Sequence, residues 1–175
     1  MKLAMMAAAG LALAGAARAE VTGAWDAGFT SRNVVQVTGR ADRVYAALGE
    51  IGKWWSDAHT YSGKAANMTM PLKAGGCFCE TWPAGSVAHG TVVMAVPARG
   101  TVRVGAALGP LQQMGASGML TWEIQPKANG VVEVRQTYVV AGLPPAMAKG
   151  AADGVDGVMH EALQRFERYV ETGKP

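Results

Sequence analysis

One pair of side chains in this sequence has a spacing that suits acid–base chemistry: Glu80 and His89. Cys77 to Trp82 and Val87 to Val96 read as the two strands of a hairpin, closed by the turn residues Pro83-Ala84-Gly85-Ser86. A loop of those four residues puts Trp82 opposite Val87 and, two residues back, Glu80 opposite His89. Cross-strand partners hold their Cβ atoms ~5 Å apart, close enough for a carboxylate–imidazole hydrogen bond. Such a pair orients a general base and raises the histidine pKa. Phe78 and Trp82 share the face of Glu80 and both are large and apolar, which turns Glu80 inward, where a carboxylate needs a partner. The competing reading is a solvent-exposed ion pair worth ~0–1 kcal/mol.

The same register places Cys77 opposite Val92 and Cys79 opposite Gly90, on the other face of the strand. On a regular strand their Cα atoms lie ~6.6 Å apart with nearly parallel Cβ bonds. A disulfide wants Cβ atoms at ~3.8 Å, so a bridge would need a bulge or a turn. Free thiols are the expectation, with a strained, reducible bridge as the alternative. A zinc site built on Cys77, Cys79 and a histidine has no recognisable ligand spacing, and His89 points away from the cysteines. No metal is expected.

Aromatic and polar residues concentrate in Ile51 to Gly63, read as IGKWWSDAHTYSG. This stretch is read as the rim or wall of a pocket. Trp54 and Trp55 cannot both face one way on a helix, so one is expected in the core and the other at the pocket mouth. His59 and Tyr61 are candidate donors at the entrance, or else turn residues. Gly109-Pro110-Leu111 reads as a lid turn that carries Leu111 and Met114 over the cavity. The full set of expected cavity residues is Trp54, Trp55, Phe78, Trp122 and Tyr138 as apolar walls, with His59, Tyr61, Glu80 and His89 as polar contacts. His160 is expected at the surface or boundary of the last helix. No serine–histidine–acid order, phosphate loop or nucleotide signature occurs, and no cofactor is expected.

The elements that must position these residues follow from periodicity. Phe29 to Thr38 reads as a strand and Ala41 to Ile51 as a helix with Val44, Ala47, Leu48 and Ile51 on one stripe. Lys53 to Asp57 reads as a second short helix or turn. From Asn67 the period is two: strands at Asn67 to Leu72, Cys77 to Trp82, Val87 to Val96, Thr101 to Leu108, Gly118 to Gln125 and Val131 to Ala141. The last two form a hairpin across Asn129-Gly130. Val155, Val158, Met159, Ala162, Phe166 and Val170 then recur at helical spacing, giving an amphipathic helix secure from Asp156 to Thr172. The expectation is an α+β fold: a curved antiparallel sheet of about seven strands on a long C-terminal helix, with two short helices after the first strand. The gap between such a sheet and its helix is a common ligand site.

The chain has 175 residues and a formal charge of +3. Lys2, the apolar run Leu3 to Ala17 and the small-x-small word Ala17-Arg18-Ala19 read as a secretory signal peptide cleaved before Glu20. Residues 1–19 are thus expected to be a leader and 20–175 a single domain, periplasmic or secreted. Removing Lys2 and Arg18 leaves 16 − 2 = 14 basic residues against 13 acidic ones, so no electrostatic case for nucleic acid remains. No second long apolar run follows the leader, so no stable membrane insertion is expected after cleavage. Nothing in the sequence fixes the oligomeric state.

This order, with the words Ala41-Asp42-Arg43-Val44-Tyr45, Ile51-Gly52-Lys53-Trp54-Trp55, His59-Thr60-Tyr61-Ser62-Gly63 and Gly75-Gly76-Cys77-Phe78-Cys79-Glu80, resembles the START-like or SRPBCC superfamily. That is the helix-grip fold shared with plant pollen-allergen proteins and polyketide cyclase/dehydrase-like domains. The resemblance spans Val21 to about Glu171 and points to exported bacterial members. It implies a cavity for sterols, lipids, polyketides or other apolar molecules. Catalytic residues differ between the superfamily's enzymes, so none is carried over. Three functions remain open: binding of a small apolar or amphipathic molecule; a cyclase/dehydrase- or hydrolase-type enzyme with Glu80 and His89 as acid–base pair; or an interaction module with a filled core.

Overall fold

A computed structural model describes residues 18–175. Eight antiparallel strands form one sheet in the order β1-β2-β8-β7-β6-β5-β4-β3. In chain order they are β1 (Arg18–Trp25), β2 (Gly28–Thr38), β3 (Met68–Thr69), β4 (Cys77–Trp82), β5 (Gly85–Val96), β6 (Thr101–Ala106), β7 (Ser117–Pro126) and β8 (Val131–Ala141). Helices α1 (Ala41–Leu48) and α2 (Ile51–Trp54) follow β2, α3 (Pro110–Gln113) joins β6 to β7, and α4 (Ala148–Thr172) closes the chain. This is the expected α+β helix-grip architecture.

The sheet has one strand more than expected. β1 pairs with β2 from Arg18↔Val34 to Trp25↔Gly28, with a bulge between Val21 and Gly23. Its sequence, RAEVTGAW, alternates too poorly to announce a strand; pairing to β2 makes it one. The expected leader, residues 1–19, lies outside the described residues except for Arg18 and Ala19, which pair with Val34 and Asn33. The strand expected over Asn67 to Leu72 shrinks to Met68–Thr69, because Pro71 has no N–H to give and the edge pairing ends before it. No helix among the described residues is long and apolar enough to cross a membrane.

α4 lies against the sheet like a wedge. In its C-terminal half Ala162, Leu163 and Phe166 are buried, and Phe166 meets Trp54 edge-to-face at 5.1 Å. Arg165 donates from Nε to the Trp54 carbonyl (3.0 Å) and from Nη2 to the Trp55 carbonyl (3.1 Å), so it satisfies the open end of α2. The N-terminal half is tied to β2 by a polar clasp that the sequence did not reveal. Buried Asp156 accepts from Ser31 Oγ (2.5 Å) and Asn33 Nδ2 (3.3 Å), and His160 Nδ1 meets Asn33 Oδ1 at 3.1 Å. His160 is therefore a boundary residue with a structural bond. With α4 held to β2 on one side, space opens on its other side, toward β4 and β5.

Candidate functional site

That space is a cavity of about 550 Å³. α4 contributes Ala151, Gly154, Val155, Val158 and Met159, a stripe at helical spacing. The segment Leu108 to Met114, which holds α3, forms the lid; Leu111 is buried and Gly109 sits at φ 54°, a backbone state that suits glycine. Trp55, Met68 and Phe78 complete the apolar lining. The polar side chains that reach the cavity are His59, Thr60, Tyr61, His89 and Gln113.

Of the expected walls, Trp55 and Phe78 line the cavity. Trp54, Trp122 and Tyr138 do not; all three are fully buried core residues. Trp54 donates Nε1–H to the Ala47 carbonyl at 3.0 Å, which turns its ring under α1. Trp122 Nε1 lies within reach of the Gln136 amide in the sheet interior. Tyr138 works from below the lid: its hydroxyl donates to the Ala106 carbonyl (3.0 Å) and accepts from the Leu108 N–H (3.2 Å). Burial pushes its pKa up to about 12, so it stays a neutral donor. Periodicity marks these residues as apolar and inward but not which inward positions the helix covers.

The stretch from Trp55 to Ser62 spans the mouth and is fastened on both sides. Trp55 Nε1–H donates to the His59 carbonyl at 3.0 Å. His59 Nε2 meets Glu161 Oε2 on α4 at 3.0 Å. The Ser56 hydroxyl first, and His59 after it, hold the Glu161 carboxyl below its ordinary pKa against the opposing effect of burial. On the sheet side the anchor is Glu80. It is fully buried and accepts the backbone N–H groups of Tyr61 (3.0 Å) and Ser62 (2.5 Å) as well as His89 Nε2 (3.1 Å).

Glu80 and His89 therefore touch, but through a different register from the one expected. The hairpin turn has two residues, not four: Trp82 pairs with Gly85 and Glu80 with Val87. A bulge then sets Cys79 opposite Ala88 and Phe78 opposite Gly90, so His89 is the surplus residue. In such a bulge two neighbouring side chains take the same face, which turns His89 inward and diagonally toward Glu80. Gly90 makes room for this: a Cβ there would lie 2.5 Å from the Gly105 carbonyl oxygen. The side chains of Phe78 and Tyr61 flank the imidazole, with ring centroids 5.1 and 5.9 Å away.

The electrostatics also differ from expectation. Burial depresses the His89 pKa below its ordinary 6.5 and outweighs the raising effect of Glu80. For Glu80, burial works to raise the carboxyl, but the Ser62, Tyr61 and His89 donors together hold it below 4.5. An ionised carboxylate only accepts, so His89 Nε2 carries the proton and donates. The neutral ring then keeps Nδ1 as an acceptor, and no donor from the described residues reaches it. Glu80 itself does not line the cavity. It acts as a positioning residue that fixes the tautomer of His89 and the backbone of the mouth.

Cys77 and Cys79 are joined in a disulfide, their Cα atoms 5.2 Å apart, in place of the expected free thiols. The strand irregularity that such a bridge requires is present at this rung, as the bulge opposite Phe78 and Cys79. Among the described residues no three His, Cys, Asp or Glu side chains converge.

No protein-family model and no curated protein sequence matches the chain. Solved structures do. CalU16 from Micromonospora echinospora superposes with a TM-score of 0.60 at 12% identity, over 91% of this chain and 86% of its own. Norcoclaurine synthase from Thalictrum flavum gives 0.57 at 13%, over 82% and 95%. The di-domain ARO/CYC protein BexL of the BE-7585A biosynthetic pathway gives 0.58 at 14%, over 81% of this chain and 46% of its own. At these identities the likeness establishes the fold: the chain has the helix-grip architecture of these proteins.

Proposed function

We propose that this protein is an exported member of the START-like superfamily that binds a small apolar or amphipathic molecule carrying one hydrogen-bond donor. The observation that carries the reading is the apolar cavity with a neutral, locked imidazole in its wall. The apolar lining supplies affinity at ~25 cal/mol per Å² buried. His89 Nδ1 accepts one hydroxyl or N–H of the ligand, and Gln113 and Tyr61 offer further polar contact at the rim. A carboxylate ligand would meet an acceptor at His89, and among the described residues no lysine or arginine lines the cavity, so anionic groups are disfavoured there. The disulfide agrees with an oxidising, extracytoplasmic location.

The test is titration with N-phenylnaphthylamine, an uncharged fluorescent amine with one N–H, and competition by naphthol against naphthalene. The reading expects saturable binding and preference for naphthol. Gly154 on α4 offers a control that spares the fold: a Cβ there meets nothing within 4 Å, so Gly154→Leu extends into the cavity. It should abolish binding without loss of stability, since replacing a mid-helix glycine favours the helix by about 0.5–1 kcal/mol. Unchanged probe affinity in this variant would refute the location.

A second reading keeps the same geometry for catalysis. Neutral His89, oriented by Glu80, can take a proton through Nδ1 from a substrate hydroxyl or an activated C–H, as in a cyclase- or dehydrase-type reaction. BexL, an ARO/CYC protein, and norcoclaurine synthase share the fold and lend this reading weight. His89→Gln separates the two: a pure binding protein retains probe affinity within roughly tenfold, whereas an enzyme loses all turnover of its substrate.

A further inference from the structure

Cys77 and Cys79 flank Phe78, and ligand binding as read above leaves them unused. Two steps of regular strand cover ~6.6–6.8 Å, yet the disulfide holds these Cα atoms at 5.2 Å. The contraction falls where β5 carries its surplus residue. Two steps of β4, Cys77 to Cys79, run beside three steps of β5, Ala88 to Thr91. That mismatch is what turns His89 onto Glu80. The next residue back, Ala88, accepts from Gln112 Nε2 at 2.8 Å and so fastens the lid. Phe78, between the two cysteines, is a cavity wall. One covalent bond, one wall, the cavity's acceptor and a lid fastening thus share neighbouring rungs. Both cysteines are half-buried, alternate with Phe78 and Glu80 along the strand, and neither lines the cavity.

We propose that Cys77–Cys79 is a thiol–disulfide exchange site through which a dithiol resets the cavity. One thiolate of the dithiol attacks a cysteine sulfur, breaks the S–S bond and releases the other cysteine, which takes up a proton. The second thiolate resolves the mixed disulfide, releases the remaining cysteine as a thiol and leaves as a cyclic or protein disulfide. Two electrons and two protons pass to the cysteine pair; the dithiol is oxidised. Without the bond β4 relaxes toward regular spacing beside the surplus residue of β5, and His89 is freed from its fixed approach to Glu80. The consequence for ligand affinity rests on the binding reading; the consequence for His89 does not.

The experiment compares the purified oxidised protein with protein reduced by dithiothreitol, the gain of two hydrogens being checked by intact mass. The His89 imidazole is followed by nitrogen–proton NMR, the fold by far-UV circular dichroism, and N-phenylnaphthylamine binding by fluorescence. The oxidised protein should show a single Nε2–H tautomer. Reduction should shift or broaden those signals and change the probe Kd at least about fivefold, with both effects reversed on reoxidation and reproduced by the Cys77→Ser/Cys79→Ser variant. Identical His89 signals in the two states would overturn the proposal. So would loss of the folded spectrum on reduction, which would make the bond a structural staple. If His89 switches but the probe binds neither state, the exchange site stands and the binding reading falls.

Discussion

Replacing Glu80 by alanine should destabilise the protein by about 3–5 kcal/mol, because three donors lose a charged acceptor, each such bond being worth ~1.5–3 kcal/mol. The carboxylate is fully buried and takes three donors: Tyr61 N–H, Ser62 N–H and His89 Nε2–H. The His89 bond is buried and cannot be replaced by water without opening the sheet. The two backbone donors are near the mouth and regain part of their loss from solvent, which keeps the total below three full charged hydrogen bonds at ~1.5–3 kcal/mol each. For a domain of this length each kcal/mol moves Tm by roughly 2–4 °C, so the melting temperature should drop by roughly 6–20 °C. Glu80→Gln keeps the shape but must set its NH₂ against one of the three donors, and should cost about 1–3 kcal/mol. The assay is urea denaturation followed by tryptophan fluorescence at neutral pH, with hydrogen exchange at Tyr61 and Ser62 as the local readout. If Glu80→Ala stays within about 0.5 kcal/mol of the parent, as an exposed surface substitution would, the assignment of Glu80 as the anchor of the mouth is refuted.

Acidification should weaken the protein in two stages. His89 stays neutral in the folded state below its ordinary 6.5 while the unfolded chain takes up the proton, so stability is full above 6.5 and falls as pH drops below it. Glu80, held below 4.5 when folded, contributes stability that is present above 4.5 and lost as pH falls through its folded value; Glu161 is depressed too, so Glu80→Gln should shrink this second stage in a pH series of denaturation curves. Asp156→Ala leaves the buried Ser31 hydroxyl without its acceptor and Asn33 Nδ2 with Ser31 Oγ alone, and should cost about 1–3 kcal/mol, measured by the same denaturation, while the α4–β2 amides lose exchange protection. Gly90→Ala drives a methyl to 2.6 Å from Ala106 Cβ and should cost about 1–3 kcal/mol, with the His89 signals displaced because the bulge must move.

The sequence by itself determined the secondary structure and its order from β2 onward; β1 became a strand only by pairing with β2. β4, β8 and the stripe of α4 are legible because strand period and helix period are local properties, set by which side chains face apolar surroundings. Gly and Pro punctuation marked the lid at Gly109-Pro110, and the crowding of aromatic and polar groups marked Ile51 to Gly63 as the mouth. The contact of Glu80 with His89 was also legible, though for an incomplete reason. A four-residue loop on a regular ladder and a two-residue loop followed by a bulge both bring the two side chains together. Only the tertiary structure chose between them, because a bulge depends on what the neighbouring strand allows, here the Gly90–Gly105 approach. The same holds for Cys77 and Cys79: on an ideal strand they cannot bridge, and the irregularity that lets them do so involves the partner strand. Which apolar residues are walls and which are core was decided by where α4 parts from the sheet. That divergence is set by the Asp156 clasp at one end and the Phe166–Trp54 contact at the other. Both join residues more than a hundred positions apart, a separation over which sequence periodicity carries no information.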